Sequence, residues 1–196
     1  MKPNVGMVYP VYAPVATYTP GTSITYGAGA VVSEARGATL NWDRADGEFY
    51  GDDVLLDSDN GVLGYTLDFE PAGLADSIRH GLLGEAFAST ESEYTVTDSA
   101  APDVGFGYIR VMREENISGT VITSYESWWF YKVKFSVSSE ETRTKERNIE
   151  WRVPSLSGKG SGVQLGSDAT MSFATHKSFT SLESAKTWLN SKAGIT

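Results

Sequence analysis

The chain has 196 residues, 25 acidic against 16 basic side chains for a formal charge of −9, and no cysteine. That length builds one domain with a real core and leaves too little for two comfortable ones. The absent cysteines exclude a disulfide framework and a thiolate metal site, and the acidic balance argues against sequence-independent grip on nucleic acid, where each phosphate contact needs a Lys or Arg.

Residues 1–27 carry prolines at 3, 10, 14 and 20 and read as an extended N-terminal arm, not a packed strand, because proline withholds a ladder donor. The tyrosines of that arm (Tyr9, Tyr12, Tyr18, Tyr26) must dock somewhere, on the same domain or on a neighbour. Residues 28–196 are expected to form a single domain. Val31 and Val32 open its first strand, and Thr39, Leu40 and Trp42 continue it. Residues 43–53 then form a long polar loop that exposes Phe49 and Tyr50. Asp59-Asn60-Gly61 is a turn signal between the apolar runs 54–56 and 62–69.

Helix signals cover 70–84. Pro71 suits a first turn and Gly84 a C-terminal stop, while Leu74, Ile78 and Leu82 make an apolar stripe. Gly73 and Gly81 oppose it, each costing about 1 kcal/mol relative to Ala. Residues 85–101 are small and polar, with a short strand at Tyr94-Thr95-Val96. Strands follow at about 104–113, 120–137 and 146–154. Period-two alternation in the second puts Trp129, Tyr131, Val133 and Phe135 on one face and Trp128, Phe130, Lys132 and Lys134 on the other. Ser157-Gly158-Lys159-Gly160-Ser161-Gly162 reads as a flexible connector, and a last strand lies near 163–175. A terminal helix starts at Thr180, where Thr180-Ser181-Leu182-Glu183 makes a capping box; Leu182, Ala185, Trp188 and Leu189 form its apolar face. No apolar run approaches the roughly 20 residues that span a bilayer, and the first residues lack the apolar stretch of an export signal, so a soluble cytoplasmic product is expected.

Motifs that carry chemistry are few. His80 and His176 stand far apart, with no partner at metal-ligand spacing on their own elements. Asp57-Ser58-Asp59-Asn60-Gly61 hints at a calcium loop, but Gly61 occupies the fifth position, where that motif needs a ligand. Gly158-Lys159-Gly160 lacks the earlier glycine and the following hydroxyl of a phosphate loop. Gly-x-Ser-x-Gly is absent. Gly27-Ala28-Gly29 and Gly105-Phe106-Gly107 suit close packing or bulges. The carboxylate pairs Glu114-Glu115 and Glu140-Glu141 sit beside turns with no convergent partner. No catalytic, cofactor-binding or metal constellation remains.

The order of parts resembles the major tail protein, or tail-tube subunit, of long-tailed, non-contractile bacteriophages. The resemblance is carried over about residues 50–160 by Asp53-Val54-Leu55-Leu56-Asp57-Ser58-Asp59, by 61–69 leading to Gly81-Leu82-Leu83-Gly84, and by Ala101-Pro102-Asp103-Val104-Gly105-Phe106-Gly107-Tyr108. Trp129 to Phe135, the polar run 139–145 and Ile149-Glu150-Trp151-Arg152-Val153-Pro154 complete it. The resemblance implies a mainly β fold of the β-sandwich, tail-tube type with a flanking α-helix, a C-terminal helix, and an extended N-terminal arm and loop. It also implies a structural virion protein, not an enzyme, without a cofactor. Such subunits self-assemble into hexameric rings that stack into a tube, and DNA passes through the lumen without specific binding. Implied partners are further copies of the chain and tape-measure, distal tail and tail-terminator proteins, with no membrane; the implied location is the virion tail, after assembly in the host cytoplasm. The proline-rich start departs from the family pattern, and an appended immunoglobulin-like domain is not expected. Trp42, Phe49 and Tyr50 are the candidate self-assembly residues, against the simpler reading that they pack under their own loop. A ring-forming secretion-system tube protein of the same fold and a monomeric carbohydrate-binding module with Trp128 as its platform are the alternatives.

Overall fold

The computed structural model describes residues 3–51, 54–88, 93–115, 119–139 and 154–196, without the side chains of 48–51, 54–59 and 87. In chain order the elements are β1 (Asn4–Thr19), β2 (Ser23–Tyr26), β3 (Ala30–Val31), β4 (Ala35–Arg44), β5 (Gly47–Gly51), β6 (Val54–Asp59), β7 (Val62–Pro71), α1 (Asp76–Leu83), β8 (Ala86–Ala88) and β9 (Glu93–Thr95). β10 (Val104–Glu115), β11 (Val121–Ser139), β12 (Ser155–Gly160), β13 (Val163–Gln164), β14 (Met171–Ser172), β15 (Ala174–Phe179) and α2 (Leu182–Ala193) follow. The chain is thus mainly β with two helices, one of them C-terminal.

One antiparallel sheet dominates, in the order β2-β1-β10-β11-β12-β7-β4, with β15 alongside β11 and β3 alongside β1. It curls until β1 and β4 touch without forming a ladder. The enclosed core gathers Tyr65, Leu67, Phe69, Phe106, Phe130, Val133, Phe135 and Leu156, and Ile78 and Leu82 of α1 pack against it. A second core lies on the other face, where Ala185, Leu189 and Ala193 of α2 cover Val11, Ala13, Ile109 and Trp129. Fully burying each large apolar side chain is worth about 1.5–3 kcal/mol, so both faces of β1, β10 and β11 contribute to stability.

Several local expectations are corrected. Residues 4–19, expected as an extended arm and not a packed strand, are a packed strand of their own domain: β1 pairs with β10 from Asn4 to Pro14 and with β2 from Val15 to Thr19, and Val11 and Ala13 are fully buried. Proline is accommodated because Pro10 falls in a bulge, where Val8 faces Ile109 and Val11 faces Gly107, so that no ladder donor is needed there. Of the loop expected at 43–53, the described residues up to Gly51 are mostly strand. β4–β5 and β6–β7 form one long hairpin, in which Arg44 pairs with Val62 and Gly47 with Asp59, and Gly51 pairs with Val54 at the tip. Asp59-Asn60-Gly61 therefore interrupts a ribbon instead of reversing the chain, and its carbonyls accept from Ala45 N–H at 2.8 Å and Arg44 Nη1 at 3.3 Å.

The alternation of β11 also breaks. Two residue steps of β10, from Val104 to Phe106, lie against three of β11, from Val133 to Phe130. This extra residue inverts the faces beyond it. Phe130, Val133 and Phe135 therefore share the enclosed core, while Trp129 and Tyr131 belong to the α2 side. Two phenols hold the irregularity, one half-buried and one buried: Tyr26 Oη donates to the Tyr131 carbonyl at 2.9 Å and Tyr65 Oη to the Lys132 carbonyl at 3.2 Å.

The run 157–162 is likewise no connector, since residues 155–160 form β12 between β11 and β7. Glycine is required there by packing. A Cβ on Gly160 would stand inside the Tyr65 ring, and one on Gly158 would lie 2.7 Å from Val133 Cγ1 and 2.8 Å from Phe135 Cε1.

Both helices start later than the sequence signals suggest. β7 runs through Pro71, and α1 begins at Asp76; its Gly84 stop is as expected, with φ 73° and an N–H donated to the His80 carbonyl. The α2 cap is Ser181, whose Oγ accepts from Ser184 N–H at 3.2 Å, in place of the Thr180–Glu183 box. The strand expected at 146–154 lies almost wholly outside the described residues.

Candidate functional site

The sheet outgrows its cores at one end. There the first residues of β1, the last of β10 and the first of β11 form a three-stranded ribbon, with Asn4 opposite Met112, Met112 opposite Ser124 and Glu115 opposite Val121. Exposure on this ribbon includes Val5 at 57% and Val121 and Ile122 at 46% each, β-branched side chains left in water on its two outer strands. Among the described residues both margins are open. β1 pairs with β3 and β2 only from Val11 onward, and β15 meets β11 only from Tyr125 onward. Such unpaired margins are templates for another strand.

Just inside the ribbon lies a layered polar and aromatic cluster on the concave face. Trp128 stacks on His176 with centroids 4.6 Å apart and planes 14° apart, and the Arg110 guanidinium lies 4.6 Å from its ring. Glu126 ties the layers together. It accepts from Trp128 Nε1 at 2.7 Å, its Oε1 is 3.3 Å from His176 Nδ1, and its Oε2 is 4.0 Å from Arg110 Nη1. Arg110 Nη2 also donates to Tyr108 Oη at 3.2 Å, and burial raises the Tyr108 phenol pKa. Register brings these residues together: Arg110 is opposite Glu126, and Trp128 lies between Tyr108 and His176 on its two neighbouring strands. The cluster ties three strands at the ribbon's base, and it offers no nucleophile–base pair. Among the described residues no group of three His, Asp or Glu is placed to hold a metal ion.

The three candidate assembly residues separate. Trp42 is half-buried against its own core, edge-to-face with Tyr65 at 5.4 Å and Phe173 at 6.3 Å. Phe49 and Tyr50 lie on β5 near the hairpin tip, about 25 Å of strand path beyond Trp42; their side chains lie outside what is described. The side chains of Asp57 and Asp59 do too. Glu140-Glu141 lies outside the described residues altogether. His80 faces the Glu85 carbonyl beside the Arg79–Glu85 pair, in which Nε and Oε1 are 2.6 Å apart. The other motifs are structural. Gly105 and Gly107 make room for the Trp129 ring, and Gly29 for the Ala193 backbone.

Sequence reasoning missed Arg110 and Glu126 and left His176 without a partner. Its carboxylate partner stands on another strand, and only the antiparallel register reveals it. Among the described residues no helix is long and apolar enough to cross a membrane. No protein-family model matches the chain, and no curated protein is significantly similar to it.

Proposed function

We propose that the chain is a self-assembling structural subunit of the tail-tube type, joining head to tail into rings that stack into a tube for DNA passage. The observation that carries this reading is the three-stranded ribbon with two open margins. Residues 4–8 on one side and 121–124 on the other are different surfaces, so pairing one with the other in the next copy is heterologous and closes a ring when the rotation allows. Val5, Val121 and Ile122, costly to leave in water, would be covered by that contact.

The long hairpin 35–71 supports stacking, as a two-stranded arm held at its base by Trp42 and tipped by Phe49 and Tyr50. In this reading the tip meets the adjoining ring, and the β-sandwich, tail-tube fold is the finer description of the curled sheet and its helices. A net charge of −9 fits a channel wall that repels DNA slightly and lets it move. The subunit has no catalytic role. The carbohydrate-platform alternative is disfavoured because Trp128 is already stacked by His176 and Arg110 and presents no bare ring.

Concentrated protein examined by light scattering and negative-stain microscopy should give rings or tubes, and Val5→Lys with Ile122→Lys should leave a folded monomer. A wild-type chain that stays monomeric at every concentration, or a double-lysine variant that assembles normally, would refute the proposal.

A further inference from the structure

Tyr9 has φ +56°, making it the single non-glycine residue with positive φ in the described chain. A bulky side chain is rarely found there, and the conformation persists only when surroundings impose it. Pro10 follows, in the β1 bulge, and its carbonyl accepts from Val32 N–H at 2.9 Å. The Tyr9 side chain reaches the other end of the chain: its Oη lies 3.0 Å from Asn190 Oδ1, and the Lys186 ammonium is 5.4 Å from its ring. Both partners belong to α2, which is anchored through Ala185, Leu189 and Ala193.

The bulge decides which side chains face which way. With it, Met7 lies opposite Arg110 and packs on the enclosed core, while Val8 lies opposite Ile109 on the α2 side. Without it, regular pairing back from Val11 would set Val8 opposite Arg110 and Met7 opposite Val111, exchanging the two faces along residues 4–8. The backbone at Tyr9 opposes the bulge, and the contacts with α2 favour it.

We propose that α2 is a clamp on the β1 bulge, holding Tyr9 in its strained conformation and so setting the face and register that residues 4–8 present at the open margin. The consequence for assembly rests on the function proposed above; the clamp itself does not. Docking of the C-terminal helix would thereby make the N-terminal edge competent to pair, so that an incompletely folded subunit presents the wrong face.

Cysteine trapping in dilute monomer tests this, because the chain has no cysteine of its own. Directly opposed strand residues on one face lie within disulfide reach, and residues on opposite faces do not. With α2 intact, Met7→Cys/Arg110→Cys should cross-link and Val8→Cys/Arg110→Cys should not. Adding Asn190→Ala and Lys186→Ala removes both contacts with Tyr9, one hydrogen bond and one cation–π contact, along with the exposed Lys186–Glu183 pair within α2, and should speed the second pair by about tenfold while slowing the first. Further adding Tyr9→Gly, which accepts positive φ unaided, should restore the original pattern. The proposal is overturned if the Val8 pair stays as slow after the α2 substitutions, or if both pairs become slow, which would mean that β1 detaches instead of slipping. Because the readout is a cross-link within one monomer, failure of the assembly reading leaves it unaffected.

Discussion

Gly160→Ala isolates why a glycine-rich run lies in the middle of this sheet. The three atoms nearest a Cβ at residue 160 are all Tyr65 ring carbons, closer than any real Cβ contact. Tyr65 is 1% exposed and cannot swing away. Its ring is packed by Trp42 at 5.4 Å and Phe130 at 5.1 Å, and its hydroxyl is held by the Lys132 carbonyl. Overpacking a core by one methyl costs about 1–3 kcal/mol, and a displaced buried phenol adds about 1 kcal/mol for its lost hydrogen bond. Replacing glycine in an extended strand returns only about 0.5–1 kcal/mol. The net expectation is a loss of about 1–3.5 kcal/mol, or roughly 2–14 °C in Tm for a chain of this size. Gly37→Ala is the control, since nothing lies within 4 Å of its Cβ position, and it should be neutral or slightly stabilising. Urea unfolding followed by tryptophan fluorescence measures both, with the m-value checking that the unfolded states are comparable. If Gly160→Ala falls within about 0.5 kcal/mol of wild type, the argument that the Tyr65 ring dictates glycine there is wrong.

Tyr26→Phe removes the phenol donor of the Tyr131 carbonyl and should cost about 1–3 kcal/mol by the same unfolding measurement, whereas Tyr65→Phe should cost only about 1 kcal/mol because the Lys132 carbonyl still accepts from Ser161 N–H. Ser181→Ala should lose about 1 kcal/mol and Thr180→Ala almost nothing, because the Ser181 hydroxyl caps α2; equal losses would contradict that assignment. Burial raises the phenol pKa of Tyr26, Tyr65 and Tyr108 above the ordinary value near 10. The sign follows from the neutral form being the folded one. Their contribution is fully present below about pH 10 and is lost as pH climbs through the raised folded values. Phenolate absorbance of these three should therefore appear only with unfolding, and titration of all ten tyrosines in a folded chain near pH 10 would count against it. Phe49→Ala with Tyr50→Ala should shorten or destabilise tubes without changing monomer stability, as microscopy and thermal unfolding would report.

Local physics was readable wherever a neighbour in sequence enforces it. Leu182, Ala185 and Leu189 mark the helical face that does bury against the sheet, and Gly84 stops α1 in the left-handed conformation expected of it. The aromatic runs of β10 and β11 announced strands, and strands are what they form. Mainly β architecture with a terminal helix was therefore determined by the sequence alone, because period and capping act within a few residues.

Tertiary structure decided the rest, because the deciding partner stands far along the chain. Gly158 and Gly160 look like a linker until the Phe135 and Tyr65 rings are laid across them. Pro10 looks like a strand breaker until a bulge absorbs it. Asp59-Asn60-Gly61 looks like a hairpin turn until β5 and β6 continue the ribbon beyond it. One additional residue in β11 turns Val133 and Phe135 toward Phe130, and no pattern within β11 shows it, because a bulge is a relation between two strands. The Arg110–Glu126–His176 grouping is a matter of register in the same way. The sequence alone determined the mainly β character and the terminal helix; cross-strand packing determined which face each side chain takes and which sheet edges stay unpaired among the described residues.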